Sequence, residues 1–175
     1  MENVLIALFC IALMLFAGLT IAHSNLWSTD TVAVAWKQME SITGEIARTH
    51  ISTLSARTTD GVTVDLTLAN AGETRLRDFE KWDVILQYYD EGQNYWIKRL
   101  TYESGTPANN EWTVEGIYLD AVGGAPEVFE PGIFNPDEEM KIRMVVSPAV
   151  GTPNANLVTV ATANGVGASE IFTRE

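Results

Sequence analysis

The feature that most constrains this chain is an uninterrupted apolar stretch close to its start. Residues 4–22 read VLIALFCIALMLFAGLTIA, with no charged residue, no Pro and a single hydroxyl, that of Thr20. In an α-helix, about 20 apolar residues suffice to cross the hydrocarbon core of a bilayer. The stretch is apolar around the whole helical turn, unlike the one-sided pattern of a helix that covers a soluble core. It therefore predicts a helix buried in lipid or among other helices.

A cleaved signal peptide and a plain membrane anchor are two simpler interpretations of this stretch. A signal peptide has a basic start, a shorter apolar segment and a small-residue cleavage site. Here only Met1, Glu2 and Asn3 precede the stretch, and the first basic residue is Lys37. An anchor is normally oriented by Lys or Arg on its cytoplasmic side. We therefore expect the sequence to be a mature form from which a short basic leader was removed.

The helical pattern continues beyond the apolar stretch. Apolar residues recur every three or four positions between polar ones such as Lys37 and Glu40, and no Pro occurs before Pro107. This predicts one continuous helix over residues 3–47, roughly 65–70 Å long at ~1.5 Å per residue, with room for a bend near residues 25–30. The apolar residues of its second half are called the outer stripe below: Val32, Trp36, Met39, Ile42 and Ile46.

Two interpretations of the outer stripe remain open at this point. It packs either against the chain's own globular part or against the same helix in other copies. Gly18 and Ala22 form a small-xxx-small pair, which permits close approach of two helices. If copies pack together, the expected contacts of the first half are its apolar and small residues. They are called the core-helix set below: Val4, Leu5, Leu8, Phe9, Ile11, Leu15, Phe16, Gly18 and Ala22.

After the helix the apolar period changes from 3.6 to 2, which predicts strands. Turn residues separate the strand segments, and the Gly- and Pro-rich region 121–137 is expected to be mostly loop. The fold class that follows is α+β, a long N-terminal hydrophobic α-helix in residues 1–47 followed by an antiparallel Ig-like β-sandwich in 48–175. The expected strands are 49–57, 61–70, 82–89, 94–102, 112–119, 140–147, 157–163 and 168–172.

Two glycines predict local features of these strands. Asp60-Gly61 precedes a strand and is typical of a type I′ turn between two hairpin arms. Gly116 interrupts a strand pattern, which is typical of a β-bulge.

Composition excludes most kinds of chemistry. Eleven Lys and Arg against 23 Asp and Glu give a net charge of −12, which argues against a nucleic-acid-binding surface. The single Cys10, with only His23 and His50 as histidines, excludes an internal disulfide and a Cys-based zinc site. No phosphate-binding loop, dinucleotide fingerprint, nucleophile elbow, zinc-protease or EF-hand motif occurs. We therefore expect a non-enzyme with no catalytic residue, no cofactor and no metal.

One acidic stretch is the remaining candidate for a cation. Carboxylate oxygens are the ligands that Ca²⁺ prefers. The spacing here matches no known calcium loop, so a solvated acidic loop is the interpretation we favour. The residues concerned are Glu127, Glu130, Asp137, Glu138 and Glu139.

Three segments carry a resemblance to a known superfamily. They are MENVLIALFCIALMLFAGLTIA, IARTHISTLSA and NAGETRLRDFEKWDVILQYYD. The chain resembles the type IV filament superfamily, and within it most closely the archaellins and the related single-helix β-sandwich proteins of the archaellum. The third segment looks like that family's Asn-x-Gly turn and Trp-Asp-Val strand. Type IV pilins usually carry Glu where this chain has Leu5, which suits an archaellin-like protein better than a type IVa pilin.

The resemblance implies a structural subunit of an extracellular, archaellum-like motility filament whose N-terminal helices pack in the core. It implies insertion in the cytoplasmic membrane before assembly, and then a homo-oligomeric filament on the cell surface. A separate assembly ATPase, a platform protein and a prepilin-type peptidase are implied as partners. Two alternatives are an adhesive type IV pilus subunit and a membrane-anchored, non-polymerising β-sandwich, such as a stator-like archaellum component.

Overall fold

A long helix occupies the first part of the chain. The computed structural model describes residues 2–175, without the side chains of Glu2, Asn25, Leu26 and Ser28, so the expectation about Met1 lies outside the described residues. Helix α1 runs without interruption over Glu2–Arg48, which confirms the single continuous helix. Contacts divide the chain into two compact units, Met1–Gly44 and Glu45–Glu175, so the last turn of α1 belongs to the second unit.

The second unit is built from β-strands. A short 3₁₀ turn at Phe79–Lys81 precedes the third strand. Each strand predicted from the sequence is present, with its ends shifted by one or two residues, and one two-residue strand lies in the region expected to be loop. The strands are β1 Ile51–Arg57, β2 Thr63–Asn70, β3 Asp83–Tyr89, β4 Tyr95–Tyr102, β5 Glu111–Asp120, β6 Ala125–Pro126, β7 Glu139–Val145, β8 Asn156–Ala161 and β9 Gly167–Phe172.

The strands form two antiparallel sheets. The first sheet has the order β1-β2-β7-β5, with β6 beside β5, and the second has the order β4-β3-β8-β9. A short parallel pairing of β4 with β5, Thr101 to Glu111 and Tyr102 to Trp112, joins the two sheets at one edge. At the other edge the Thr53 hydroxyl of β1 donates to the Glu170 carboxylate of β9 at 2.5 Å. The antiparallel sandwich predicted from the sequence is thereby confirmed.

The core lies between the inner faces of the two sheets. Alternate residues of each central strand point inward, as a period of two requires. Burying such a side chain contributes roughly 1.5–3 kcal/mol. These inward residues are buried: Val64, Leu66 and Leu68 of β2, Val84, Leu86 and Tyr88 of β3, Met140, Ile142 and Met144 of β7, and Val158 and Val160 of β8.

The two glycine predictions have opposite outcomes. The register of β5 against β7 shifts between Val114 and Gly116, so the bulge is confirmed. The type I′ turn is wrong, because it requires positive φ at both central residues and only Gly61 has one, at 75°. Instead the Asp60 carboxylate accepts hydrogen bonds from the backbone N–H groups of Val62 and Thr63 at 2.9 and 2.7 Å. The aspartate side chain therefore organises a wider loop between β1 and β2.

The N-terminal helix and its junction as a candidate assembly site

The core-helix set lies on the part of α1 that precedes Asp30, the first charged residue after Glu2. Its large members are all more than half exposed, from 59% for Ile11 to 74% for Leu5. A side chain built at Gly18 would meet nothing within 4 Å. The helix by itself therefore presents apolar surface around its circumference, including a flat position where another helix can approach closely.

The uncharged part of α1 is long enough for a bilayer. Residues 3–29 contain no Asp, Glu, Lys or Arg, and about 20 residues span the hydrocarbon core. Within residues 2–175 one helix, Asn3–Arg48, is long and apolar enough by length and composition to cross a membrane. The Thr20 hydroxyl donates to the Phe16 carbonyl at 2.8 Å, so this polar group is satisfied within the helix.

The outer stripe continues the apolar surface beyond that length. Its residues are spaced at three and four positions, which places them along one side of α1. All five side chains are exposed. As with the core-helix set, the role of these residues in assembly stays a prediction.

The last turn of α1 is bonded into the sandwich through Thr49. This residue is 5% exposed, and both its backbone N–H and its hydroxyl donate to the Glu45 carbonyl, at 3.0 and 2.8 Å. The Asn164 side-chain amide in turn donates to the Thr49 hydroxyl at 2.7 Å. The carbonyls at a helix end lack intrahelical partners. Thr49 supplies partners for one of them and connects it to the β8–β9 loop.

A tight turn after β2 satisfies a second carbonyl of the helix end. The Glu73 N–H donates to the Arg48 carbonyl at 2.8 Å. At the preceding residue, Gly72, a Cβ would lie 2.4 Å from the His50 nitrogen and 2.6 Å from the Arg48 oxygen. Both atoms belong to backbone that cannot move aside as a flexible side chain would. Only glycine therefore fits at this contact between the turn and the end of α1.

Asn70 holds this turn in place from inside the protein. Its side chain is 1% exposed, and its amide donates to the carbonyls of Thr74 and Phe134, both at 2.9 Å. Its side-chain oxygen accepts the Gly72 N–H at 3.2 Å. A buried amide with its hydrogen bonds made orders the backbone around it. Asn70 thus connects the turn to the segment that leads into β7.

The sequence identified one part of this junction and missed the rest. Asn70-Ala71-Gly72 stood out as a turn and as part of the resemblance, but without a structural role. Thr49 was expected as the first residue of a strand, and the structure places it between α1 and β1. Asn164 gave no sequence signal, because its hydrogen bond to Thr49 spans 115 positions.

The acidic stretch does not converge on one point. Glu130 pairs with Arg75 at 3.1 Å. One oxygen of Glu138 accepts a backbone N–H three residues earlier at 2.7 Å, and one of Glu139 accepts the Ala121 N–H at 2.7 Å. In the described part of the chain, no three His, Cys, Asp or Glu side chains are arranged to hold a metal ion. These carboxylates therefore order loops separately.

Glu127 differs from these residues in the environment of its carboxyl. Its Oε1 is buried and has no hydrogen-bond partner among the described residues. Burial, and secondarily the negative charge of Glu138, raise the pKa of the Glu127 carboxyl. This carboxyl accordingly takes up a proton at a higher pH than an ordinary glutamate.

Asp90 organises the hairpin between β3 and β4. Its carboxylate accepts hydrogen bonds from the Trp96 indole N–H and the Asn94 backbone N–H, both at 2.9 Å. The bonds from Trp96 and then Asn94 lower the pKa of the Asp90 carboxyl, because they favour its charged form. The group is a structural acceptor that fixes the turn.

Comparison with known proteins supports the fold seen here. No protein-family model and no curated protein matches the sequence. The chain is similar to the archaellum periplasmic stator protein FlaG from Sulfolobus acidocaldarius, with a TM-score of 0.51 and 22% identity over 71% of this chain and 99% of that chain. The structure of the stator complex of FlaF and FlaG from the same organism gives the same score and identity, over 70% of this chain and 87% of that chain.

A filament structure matches both the helix and the sandwich. The archaeal flagellum of Methanospirillum hungatei strain JF1 is similar with a TM-score of 0.52 and 11% identity, over 95% of this chain and 91% of that chain. The chain therefore has the fold of archaellum proteins, an apolar N-terminal helix followed by an antiparallel sandwich. The resemblance noted from the sequence is confirmed at the level of the fold.

Proposed function

We propose that this chain is a non-enzymatic structural component of an archaellum-type apparatus. The first half of α1 lies in the cytoplasmic membrane, and the sandwich lies on its outer side. The observation that carries the proposal is that the two ends of α1 differ in their surroundings and chemistry. It is uncharged over residues 3–29, and its last turn is bonded into the sandwich at Thr49 and Glu73. One continuous element is thus apolar enough for the membrane at one end and part of the sandwich at the other.

Burial of its apolar side chains makes the first half of α1 more stable in lipid or among other helices than in water. Each large apolar side chain of the core-helix set contributes roughly 1.5–3 kcal/mol when it is buried. Lipid and a bundle of identical helices both bury these side chains, and lipid is as apolar as such a bundle. Membrane insertion is therefore favourable before any assembly. Packing and small-residue contacts at Gly18 and Ala22 would decide whether helices then associate.

The specific role that we propose first is a stator-like one. In this role the chain is an anchored, non-polymerising sandwich. Its support is the similarity to FlaG, which extends over 99% of that chain. The sequence identity to FlaG is 22%, compared with 11% for the filament protein. The net charge of −12 would keep the exposed sandwich soluble outside the membrane.

A filament subunit is the second candidate, and the outer stripe favours it. A single anchor needs only about 20 apolar residues, yet apolar side chains continue along one side of α1 to Ile46. In a filament this stripe would pack on neighbouring copies, through contacts that repeat without closing. An assembly ATPase, a platform protein and a prepilin-type peptidase would then be separate partners. No catalytic role, cofactor, metal or nucleic acid is part of either candidate.

Shearing of cells that naturally produce the chain tests both roles. The released high-mass material is pelleted, viewed by electron microscopy and analysed by mass spectrometry beside the membrane fraction. A stator-like role predicts that the chain stays with the membrane while sheared filaments contain other proteins. Filaments made mainly of this chain would overturn the stator role in favour of a filament subunit, and swimming and attachment assays would then separate archaellum from adhesive pilus. A chain found in neither fraction would contradict the whole proposal.

A further inference from the structure

The outer faces of the two sheets differ in the number of charged residues that they carry. On the first sheet, Arg143 pairs with Asp65 and Glu115, both at 3.0 Å, and Lys141 and Arg57 lie on the same face. On the second sheet, the outward charged residues of the paired strands are Asp83 and Arg99, and they neutralise each other through a 2.7 Å hydrogen bond. In a chain of net charge −12, the second sheet thus has a face with no net charge.

The outer face of the second sheet also carries exposed apolar residues. Strand pairing aligns a row of four outward residues across it, Ile97 of β4, Gln87 of β3, Leu157 of β8 and Ile171 of β9. The two ends of the row, Ile97 and Ile171, are 63% and 67% exposed. Because both isoleucines are mostly exposed, they bury little of their apolar surface against their own chain. This arrangement leaves apolar surface for a partner.

Further apolar residues flank this row on both sides. Tyr89 and Tyr95 pair at one end of β3 and β4, with ring centroids 5.0 Å apart. The Tyr95 hydroxyl donates to the Gln87 side chain at 2.7 Å, so the polar member of the row already has a partner. On the other side, Ile85 aligns with Arg99 and Thr159. The face therefore combines aromatic and branched side chains with few unmet polar groups.

The two apolar ends of the row can meet each other across a two-fold axis. Consider a two-fold axis that lies in the contact plane, parallel to the strands and midway between β3 and β8. Rotation about this axis places Ile97 of one copy over Ile171 of the other, and Gln87 over Leu157. Each end of the row in one copy then meets the opposite end in the other copy, as an isologous contact requires. Sheets that stack in this way keep their strands aligned and lie about 10 Å apart.

We propose that the outer face of the second sheet is a self-association surface that takes the same face of a second copy about this two-fold axis. Charge supports a second copy as the occupant. Two strongly acidic chains repel each other least where the meeting faces are neutral. A cationic partner would lack a carboxylate to bind on this face, since Asp83 is already paired with Arg99.

The size of the face sets the strength of the contact. Four strands about 4.8 Å apart and seven residues at about 3.3 Å give a face of roughly 19 by 23 Å. The area that two such faces bury is at the low end for specific interfaces, below about 1,200 Å² in total. The contact is therefore weak between free chains. Anchoring of both copies in one membrane raises their effective concentration, so the contact forms there.

This inference depends on the proposed function only through the membrane anchoring, and the test is designed to separate the two. The full-length chain with Cys10→Ala is placed in lipid vesicles, and flotation of the vesicles reports anchoring independently. Two single-cysteine variants, Ile97→Cys and Ile171→Cys, are reconstituted alone and as a mixture. They are treated with a bis-maleimide whose span matches the roughly 10 Å spacing of stacked sheets.

The mixture is expected to give roughly ten-fold more cross-linked dimer than either variant alone. In the proposed geometry Ile97 faces Ile171 of the other copy, and the two Ile97 side chains lie about 14 Å apart along the row, three strand spacings. Val122→Cys, on a loop residue that is 96% exposed, is the control and is expected to give only background dimer with either partner. Equal cross-linking in all combinations, or none in the mixture, overturns the inference.

A charge exchange provides a second readout of the same geometry. Ile97→Lys and Ile171→Glu are each expected to reduce dimer formation several-fold in vesicles, measured by energy transfer between labelled copies. The double variant is expected to recover it, because the introduced ammonium group of each copy would then face the introduced carboxylate of the other. Far-ultraviolet circular dichroism establishes that every variant is folded. A double variant no better than the single ones contradicts the two-fold arrangement, whereas loss of flotation would instead contradict the anchoring.

Discussion

The side-chain amide of Asn164 donates a 2.7 Å hydrogen bond to the hydroxyl of Thr49, across 115 positions of sequence. Thr49 also donates to the Glu45 carbonyl, so the bond connects the β8–β9 loop to the last turn of α1. Both residues are polar, and Thr49 is nearly fully buried. This hydrogen bond therefore helps to fix the end of the helix, since leaving a buried polar group without a partner costs free energy of folding.

Removal of the Asn164 amide should weaken the sandwich unit. We expect Asn164→Ala to lower the free energy of unfolding by about 1–2 kcal/mol, because the Thr49 hydroxyl loses a buried partner. Urea unfolding of the full-length chain in detergent, followed by tryptophan fluorescence, measures the change. Asn154→Ala is the matched control, since the Asn154 amide bonds Gln93 at an exposed site. It is expected to stay within about 0.5 kcal/mol of the wild type. Equal losses in the two variants would show that the Asn164 bond is unimportant.

Gly72 should not tolerate a side chain. A Cβ there would lie 2.4 Å from the His50 nitrogen, so the backbone of the junction must shift. We expect Gly72→Ala to lower the free energy of unfolding by about 2–3 kcal/mol, measured by the same urea titration. Gly105→Ala is the control, because the nearest atom to a Cβ there, an oxygen of Glu103, is at 3.7 Å, an ordinary contact. A Gly72→Ala variant as stable as Gly105→Ala would contradict the close approach.

Asp90 should make part of the stability depend on acid pH. Its carboxyl has a lowered pKa in the folded state, so its contribution is fully present above the unfolded value of about 3.9. The contribution is lost as the pH falls through the lower folded value. We expect Asp90→Asn to be less stable at pH 7 and to lose less stability between pH 5 and pH 2. Urea titrations at several pH values measure both effects.

The indole donor offers an independent check on this pH dependence. Trp96→Phe removes the largest cause of the lowered pKa of Asp90, so the acid-dependent loss should shrink in that variant too. An unchanged acid dependence in both Asp90→Asn and Trp96→Phe would assign the effect to other carboxylates.

The outer stripe discriminates between the two proposed roles. In a filament, Ile42→Asp would place a carboxylate among packed helices, and an uncompensated buried charge is strongly unfavourable. We expect the stator-like chain to tolerate this change, with normal membrane fractionation and an unchanged urea transition. Ser41→Asp, which adds the same charge on the polar side of α1, is the control. If Ile42→Asp alone abolishes filaments that contain this chain, the filament role is supported and the stator role fails.

Much of the fold was predictable because its elements depend on local patterns. Residues 4–22 are uncharged and apolar apart from Thr20, and a single segment of this kind satisfies its backbone hydrogen bonds in lipid by forming a helix. The alternation of Val64, Leu66 and Leu68 places three side chains on one face of a strand, and all three are buried in the core. The bulge at Gly116 followed from the absence of a side chain. These predictions needed no knowledge of distant parts of the chain.

Predictions that depended on exact backbone geometry were less successful. Asp60-Gly61 suggested a two-residue turn, but the Asp60 carboxylate instead accepts two backbone N–H groups and widens the loop. The acidic stretch looked like a candidate ligand set because its residues are close in sequence. In the structure Glu130 forms an ion pair with Arg75, whereas Glu138 and Glu139 accept hydrogen bonds from backbone N–H groups. Each carboxylate therefore has a separate partner.

The sequence by itself determined the long apolar helix, the strands and the acidic surface charge, because each is set by the period or the composition of neighbouring residues. The tertiary structure alone decided that Asn70, Gly72 and Asn164 meet at the end of α1, since these contacts join segments far apart in the chain. It also decided that Ile97 and Ile171 lie in one row on a neutral face. Strand order and register create that row, and no local pattern records which strands become neighbours.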